Sequence, residues 1–155
     1  MSNYIKLLDG SKSNAGGFEY KIGKVNVADN WNPTTSDPKL MGGFNFSTDE
    51  KILRWIHRGD TVYDVIIPED AEVIDCPSNN CPHGVFRSNK IILNNPRKVT
   101  EEMVMDYYEK SDLPENTYYQ CIVVKHDGSE PVFNYNDLWE EAKEIYNILI
   151  NIRDN

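Results

Sequence analysis

The sequence predicts a single α+β domain over residues 1–155, built on a mixed, mostly antiparallel sheet with about three helices. Three stretches carry that expectation. The β-branched run from Thr61 to Ile67 reads as a central strand covered on both faces. Phe44 and Phe46 alternate with Asn45 as in a strand, and Ser47 and Glu50 then form a Ser-x-x-Glu capping box ahead of the apolar residues Ile52, Leu53, Trp55 and Ile56. Near the end of the chain, Leu138, Ala142, Ile145, Leu149 and Ile152 recur at three or four positions, the spacing of a helix with one apolar face.

Composition narrows the function classes. A chain of 155 residues is long enough to bury a core without disulfides or a structural metal. Twenty-five acidic against sixteen basic residues give a net charge of −9, which opposes binding to phosphate backbones, so no nucleic acid partner is expected. No run approaches the roughly 18 apolar residues of a membrane span. The opening residues, MSNYIKLLDGSKSN, lack the apolar core of a secretory signal. These features predict a soluble intracellular protein, not secreted and without a membrane partner. The three cysteines are then expected to be reduced thiols.

Taken in order, Tyr4–Leu8 reads as a short strand, followed by a glycine- and serine-rich loop over 9–17. Phe18, Tyr20 and Ile22 alternate with Glu19 and Lys21 as a second strand that Gly23 ends. Residues 27–41 read as a long loop in which Trp31 either pins the segment to the core or meets a ligand. Gly42 and Gly43 allow a close backbone approach or positive φ before the Phe44–Phe46 strand. The helix predicted from Ser47 should close at Gly59. Beyond the central strand, Ala71–Ile74, Val85–Arg87 and Lys90–Leu93 read as strands, the last ended by Asn94-Asn95-Pro96. Thr100 should cap a helix whose apolar positions are Met103, Val104, Tyr107 and Tyr108. Tyr118–Lys125 should be a further strand, and Asn136 should cap the last helix.

Few residues carry a chemical signal. Cys76, Cys81 and His83 are the one cluster of metal-ligand types, but they lack the paired spacing of a structural zinc site, and no metal or cofactor is favoured. P-loop, G-x-G-x-x-G, G-x-S-x-G and H-E-x-x-H motifs are all missing. Arg87, Lys90, Arg97 and Lys98 read as the solvent face of a sheet, or as a contact for phosphate or an acidic partner. On the last helix, Tyr146, Ile148 and Ile150 lie off the main apolar stripe; with Trp139 they form a candidate face for a protein partner or for self-association.

The segments GFEYKIGKVNV, GGFNFSTDEKILRWI, VYDVIIPEDAEVI and FRSNKIILNNPRKV, in that order over residues 17–99, resemble the N-terminal region of ankyrin-repeat proteins of giant amoeba-infecting viruses. After Val99 there is no T-P-L-H-x-A signature and no 33-residue period, and residues 100–155 offer helix, strand and helix instead. The resemblance implies a non-enzymatic interaction or structural module of viral origin, with a host or viral protein partner, acting in the host cytoplasm or the virion. More distantly, a strand ending at Phe46-Ser47, a helix and the strand ending Val65-Ile66-Ile67-Pro68 are similar to the middle of ADP-ribosyltransferase-like domains. That likeness implies an NAD pocket near Phe44, Phe46, Ser47 and Tyr63. The early His or Arg and the late catalytic Glu of such enzymes have no counterpart in this sequence.

Overall fold

The computed structural model describes residues 3–13, 17–35, 38–53, 55, 59–75, 86–111 and 147. In chain order the strands are β1 (Tyr4–Leu8), β2 (Val25–Val27), β3 (Phe44–Thr48), β4 (Thr61–Ile66), β5 (Val73–Asp75), β6 (Phe86–Ser88) and β7 (Lys90–Lys98). A single helical turn, α1 (Pro38–Met41), precedes β3, and α2 (Glu101–Lys110) follows β7. Among the described residues the seven strands lie in one sheet of order β2-β7-β4-β1-β3-β6-β5, and every pairing between them is antiparallel.

That order has a geometric consequence. β6 and β7 are separated by the single residue Asn89, yet three strands lie between them in the sheet. In a flat sheet, four strand spacings of ~4.8 Å would hold them about 19 Å apart, whereas two residues of extended chain span only about 7 Å. The sheet therefore curls until its two halves meet at Asn89, forming a barrel-like tube whose seam is the chain itself. The bend is held by polar contacts. The Ser88 hydroxyl donates to the Lys90 carbonyl at 2.9 Å and accepts from the Lys90 amide at 3.2 Å. The Asn89 carbonyl accepts from the Ala28 amide at 2.9 Å, and its Oδ1 accepts from the Glu72 amide at 2.9 Å.

Side chains divide between the two sides of this sheet. Leu8, Tyr20, Phe44, Phe46, Tyr63, Val65, Ile91 and Leu93 pack together as one core. Ile5, Leu7 and Val62 point the other way and pack with Ile52, Leu53 and the Val104 and Tyr107 face of α2. β4 contributes to both cores and lies between β7 and β1, as expected of a central strand covered on both faces. α2 begins at Thr100, whose Oγ1 accepts from the Met103 amide at 3.2 Å, in agreement with the predicted cap.

Several expectations are corrected. The sheet is antiparallel rather than mixed, and α2 is the one helix longer than a turn among the described residues. Ser47 caps no helix: β3 runs through Thr48, residues 49–51 turn, and Ile52, Leu53 and Trp55 lie in tight 3₁₀ geometry. The carbonyl of Thr48 accepts from Lys51 at 3.1 Å, so the backbone closes a turn where the capping box predicted a helix. Packing decides this, because Ile52 and Leu53 are drawn onto β1 and α2. Gly59 is a point of close contact: a Cβ there would lie 2.1 Å from the Leu8 carbonyl oxygen, and the residues 56–58 that would form the end of the expected helix lie outside the described residues. The predicted strand at Phe18–Ile22 is a single bridge at Glu19, and the strand itself comes later, at β2. Two strands, β6 and β7, do form on either side of Asn89, but β7 is not ended at Asn94-Asn95-Pro96 and continues to Lys98. Asn95 takes φ 56° there, beside the irregularity between Val62 and Asp64, and the bulge lets the strand run on past Pro96. The strand at Tyr118–Lys125 and the last helix lie outside the described residues.

Asp60 ties the ends of three strands. Its Oδ1 accepts from the Gly10 amide at 3.0 Å and the Thr61 hydroxyl at 2.9 Å, and its Oδ2 meets Lys98 Nζ at 2.6 Å. Burial alone would raise its carboxyl, but the contacts from Lys98, Gly10 and Thr61 outweigh it and hold the group below the usual aspartate range. Between the lowered folded value and the ordinary unfolded value the unfolded chain binds more protons. Asp60 therefore stabilises the fold above about pH 4, and that contribution is lost as pH falls through its folded value. Asp60→Asn should lower the urea midpoint at neutral pH, with the gap to the parent protein closing on acidification. At Gly59, substitution by Ala should cost about 3 kcal/mol in urea denaturation with an unchanged m-value, because the obstructing atom is backbone.

Candidate functional site

Strands β1 and β3 pair at only two positions, Tyr4 with Thr48 and Ile5 with Ser47. Beyond them the strands separate, and a cleft of about 340 Å³ opens in the gap. That volume falls at the lower end of the ~300–1,000 Å³ range of small-molecule sites. The side chain of Lys6 bridges the gap: its ammonium donates to the Asn45 carbonyl and, at 2.6 Å, to Asn45 Oδ1. A side chain thus makes the connection that the β1 backbone stops making. Lys6 is 6% exposed, and its ammonium lies 5.5 Å from the centre of the Tyr20 ring, near enough for cation–π attraction.

Aromatic side chains form the opposite wall. Phe18 meets Tyr20 edge-on with ring centres 4.8 Å apart, and Phe44 lies 5.6 Å from Phe18 and 5.4 Å from Tyr20. Burial drives the Tyr20 phenol far above its ordinary value, so it is a neutral group at any physiological pH. Phe18 is 43% exposed, a large apolar surface left to water at the cleft. Ile5, Leu7, Ile52 and Trp55 line the side facing α2, while Ser13, Asp29 and Asn30 add polar groups. One polar atom in this lining is anomalous: the Ser47 hydroxyl is fully buried and has no hydrogen-bond partner among the described residues. Leaving a buried hydroxyl unmatched costs about 1–3 kcal/mol.

The glycines before β3 bring the Trp31 segment against this site. Gly42 and Gly43 have φ of 72° and 76°, and a Cβ on Gly42 would lie 2.2 Å from the Asn30 carbonyl oxygen. The Gly43 amide donates to that same carbonyl at 2.9 Å. Trp31 packs with Met41, Trp55 and Ile74, and its indole N–H reaches Glu72 at 3.4 Å. It serves to pin the loop.

Of the residues singled out from sequence, Phe44, Phe46 and Ser47 line the cleft, whereas Trp31 and Tyr63 do not. Tyr63 lies in the core with its hydroxyl donating to the Gly10 carbonyl at 2.7 Å. Lys6, Phe18, Tyr20 and Asn45 were not anticipated. A lysine in the middle of the otherwise apolar YIKLL strand was the available signal. Three residues of the basic stretch form ion pairs within the chain, Lys90 with Asp70, Arg97 with Asp64 and Lys98 with Asp60, and Arg87 donates to the Gly42 carbonyl. Cys76, Cys81 and His83, together with Trp139, Tyr146, Ile148 and Ile150, lie outside the described residues. Among the described residues, no helix is long and apolar enough to cross a membrane. Comparison with protein families, curated proteins and solved structures finds no match to this chain.

The unmatched hydroxyl gives an expected outcome for the free protein. Ser47→Ala removes an unsatisfied polar atom from the interior, so it should leave stability unchanged or raise it by up to about 1 kcal/mol in chemical denaturation. A loss of more than about 1 kcal/mol would show that the hydroxyl has a partner.

Proposed function

We propose that the chain is a non-enzymatic binding module that holds a small ligand in the cleft between β1 and β3. One observation carries this reading: the buried, unmatched Ser47 hydroxyl lines a cleft walled by Phe18, Tyr20 and Phe44. Apolar walls with a few fixed polar groups are the usual make-up of a small-molecule site. The Lys6–Asn45 bridge holds the gap open before any ligand arrives, which reduces the ordering cost of binding. The motif resemblance over residues 17–99 supports a binding role over a catalytic one. Under that resemblance the module acts in the host cytoplasm or the virion, alongside a protein partner.

A second reading is favoured by one observation. Phe44, Phe46 and Ser47 all line the cleft, as an ADP-ribosyltransferase-like nicotinamide pocket would require, although Tyr63 does not. Amide chemical shifts of the ¹⁵N-labelled chain, recorded against a library of small aromatic fragments and separately against NAD, test both. Fragment-induced shifts concentrated at Lys6, Phe44, Asn45 and Ser47 are expected, with no response to millimolar NAD. Saturable shifts with NAD at the same amides would favour the second reading. Fragment shifts scattered away from the cleft would defeat the first.

A further inference from the structure

We infer that the sheet face beside α2 is a docking surface for this chain's own C-terminal segment, residues 136–152. The stripe of Leu138, Ala142, Ile145, Leu149 and Ile152 would lie on a row formed by Val25, Ile92 and Ile66. That row does not line the cleft between β1 and β3.

Strand register places the row. Val25 and Ile66 are each paired directly with Ile92, from opposite sides of β7, so the three side chains stand together on one face. Asp64, two residues before Ile66, is paired with Ile5, which packs against α2. Alternation along β4 therefore puts the row and α2 on the same face of the sheet. α2 covers Ile5, Leu7 and Val62 and leaves the row to water. Val25 is 46% exposed, Ile66 44%, and Val27, which follows Val25 on the same face, 58%. An antiparallel sheet that carries a helix over one half of a face and a contiguous apolar patch over the other has room for a second helix.

Three observations select the occupant. The chain leaves α2 at Ser111, on this same face, and residues 112–135 are ample to reach the row. At about 3.6 residues per turn, the stripe positions share one side of a helix and Asn147 falls on the opposite side. Asn147 is helical and exposed, as that placement requires. The third observation is charge. Asp137, Glu141 and Glu144 would run along one edge of the stripe. Lys24 beside Val25, and Lys21, whose amide is held by Asn26, are exposed and have no ion pair among the described residues. A net charge of −9 opposes a second copy at this face, whereas a tethered segment meets it at high effective concentration.

Nuclear Overhauser contacts in the intact, methyl-labelled chain test the inference. They should link the methyls of Val25 and Ile66 to those of Ile145 and Leu149, and they should persist on dilution. Amide hydrogen exchange gives a second measure. Ile66→Ser should speed exchange over residues 138–152 by about tenfold or more while changing that of β1 and α2 by less than about threefold, and Leu149→Ser should do the same. If Ile66→Ser fails to fold, the contacts in the parent chain and the exchange of Leu149→Ser still decide. Absence of any contact between the row and the segment, or exchange over 138–152 that neither substitution changes, overturns the inference. Contacts that arise only between differently labelled copies give the row to a second chain and overturn it as well.

Discussion

Covalent continuity through Asn89 is the constraint on which the rest of the structure depends. Hydrogen bonding alone would permit an open seven-stranded sheet, but one residue joins strands that sheet order places far apart. Curling the sheet to meet that constraint creates an inside, and the aromatic-rich core of Leu8, Tyr20, Phe44, Phe46 and Tyr63 fills it. The convex side then needs its own cover. α2 and the turn at Ile52 and Leu53 supply it, which is why β1 and β4 carry apolar residues on both faces. The polar contacts of Ser88 and Asn89 satisfy the backbone groups that a sharp bend would otherwise strip of partners.

The cleft follows from the same curvature. With only two residue pairs, β1 and β3 are the least extensively paired neighbours along the wall of the tube, whereas β4 shares four pairs with β1 and five with β7. The gap opens where pairing is least extensive. Asp60 and the Gly59–Leu8 contact hold the far end of β1 against β4, so the opening is confined to the β3 side.

Much of the sheet was legible because its signals are local. β1, β4 and the Thr100 cap of α2 are each specified by a few adjacent residues whose patterns have one strong interpretation. The failure at Ser47 has a clear physical origin. A capping box contributes about 1 kcal/mol, and burial of Ile52 and Leu53 on two separate elements outweighs it. β2 escaped notice because it is three residues long, Val-Asn-Val, and its central Asn26 is buried by bonds to Lys21 and Lys24 that no alternation rule anticipates. Half of the candidate site was visible for a reason unrelated to its role: Phe44, Phe46 and Ser47 stood out as folding signals. Lys6 was not visible, since whether a strand lysine reaches water or bridges a gap depends on its neighbours in space.

Lys6 also sets a length. Because its side chain, and not a ladder of backbone amides, spans the opening between β1 and β3, the width of that opening is measured by four methylenes and an ammonium. Backbone ladders fix strand spacing to a single value. A side-chain strut does not, so one substitution at this position can rescale the aperture while the seam at Asn89 and both cores stay as they are.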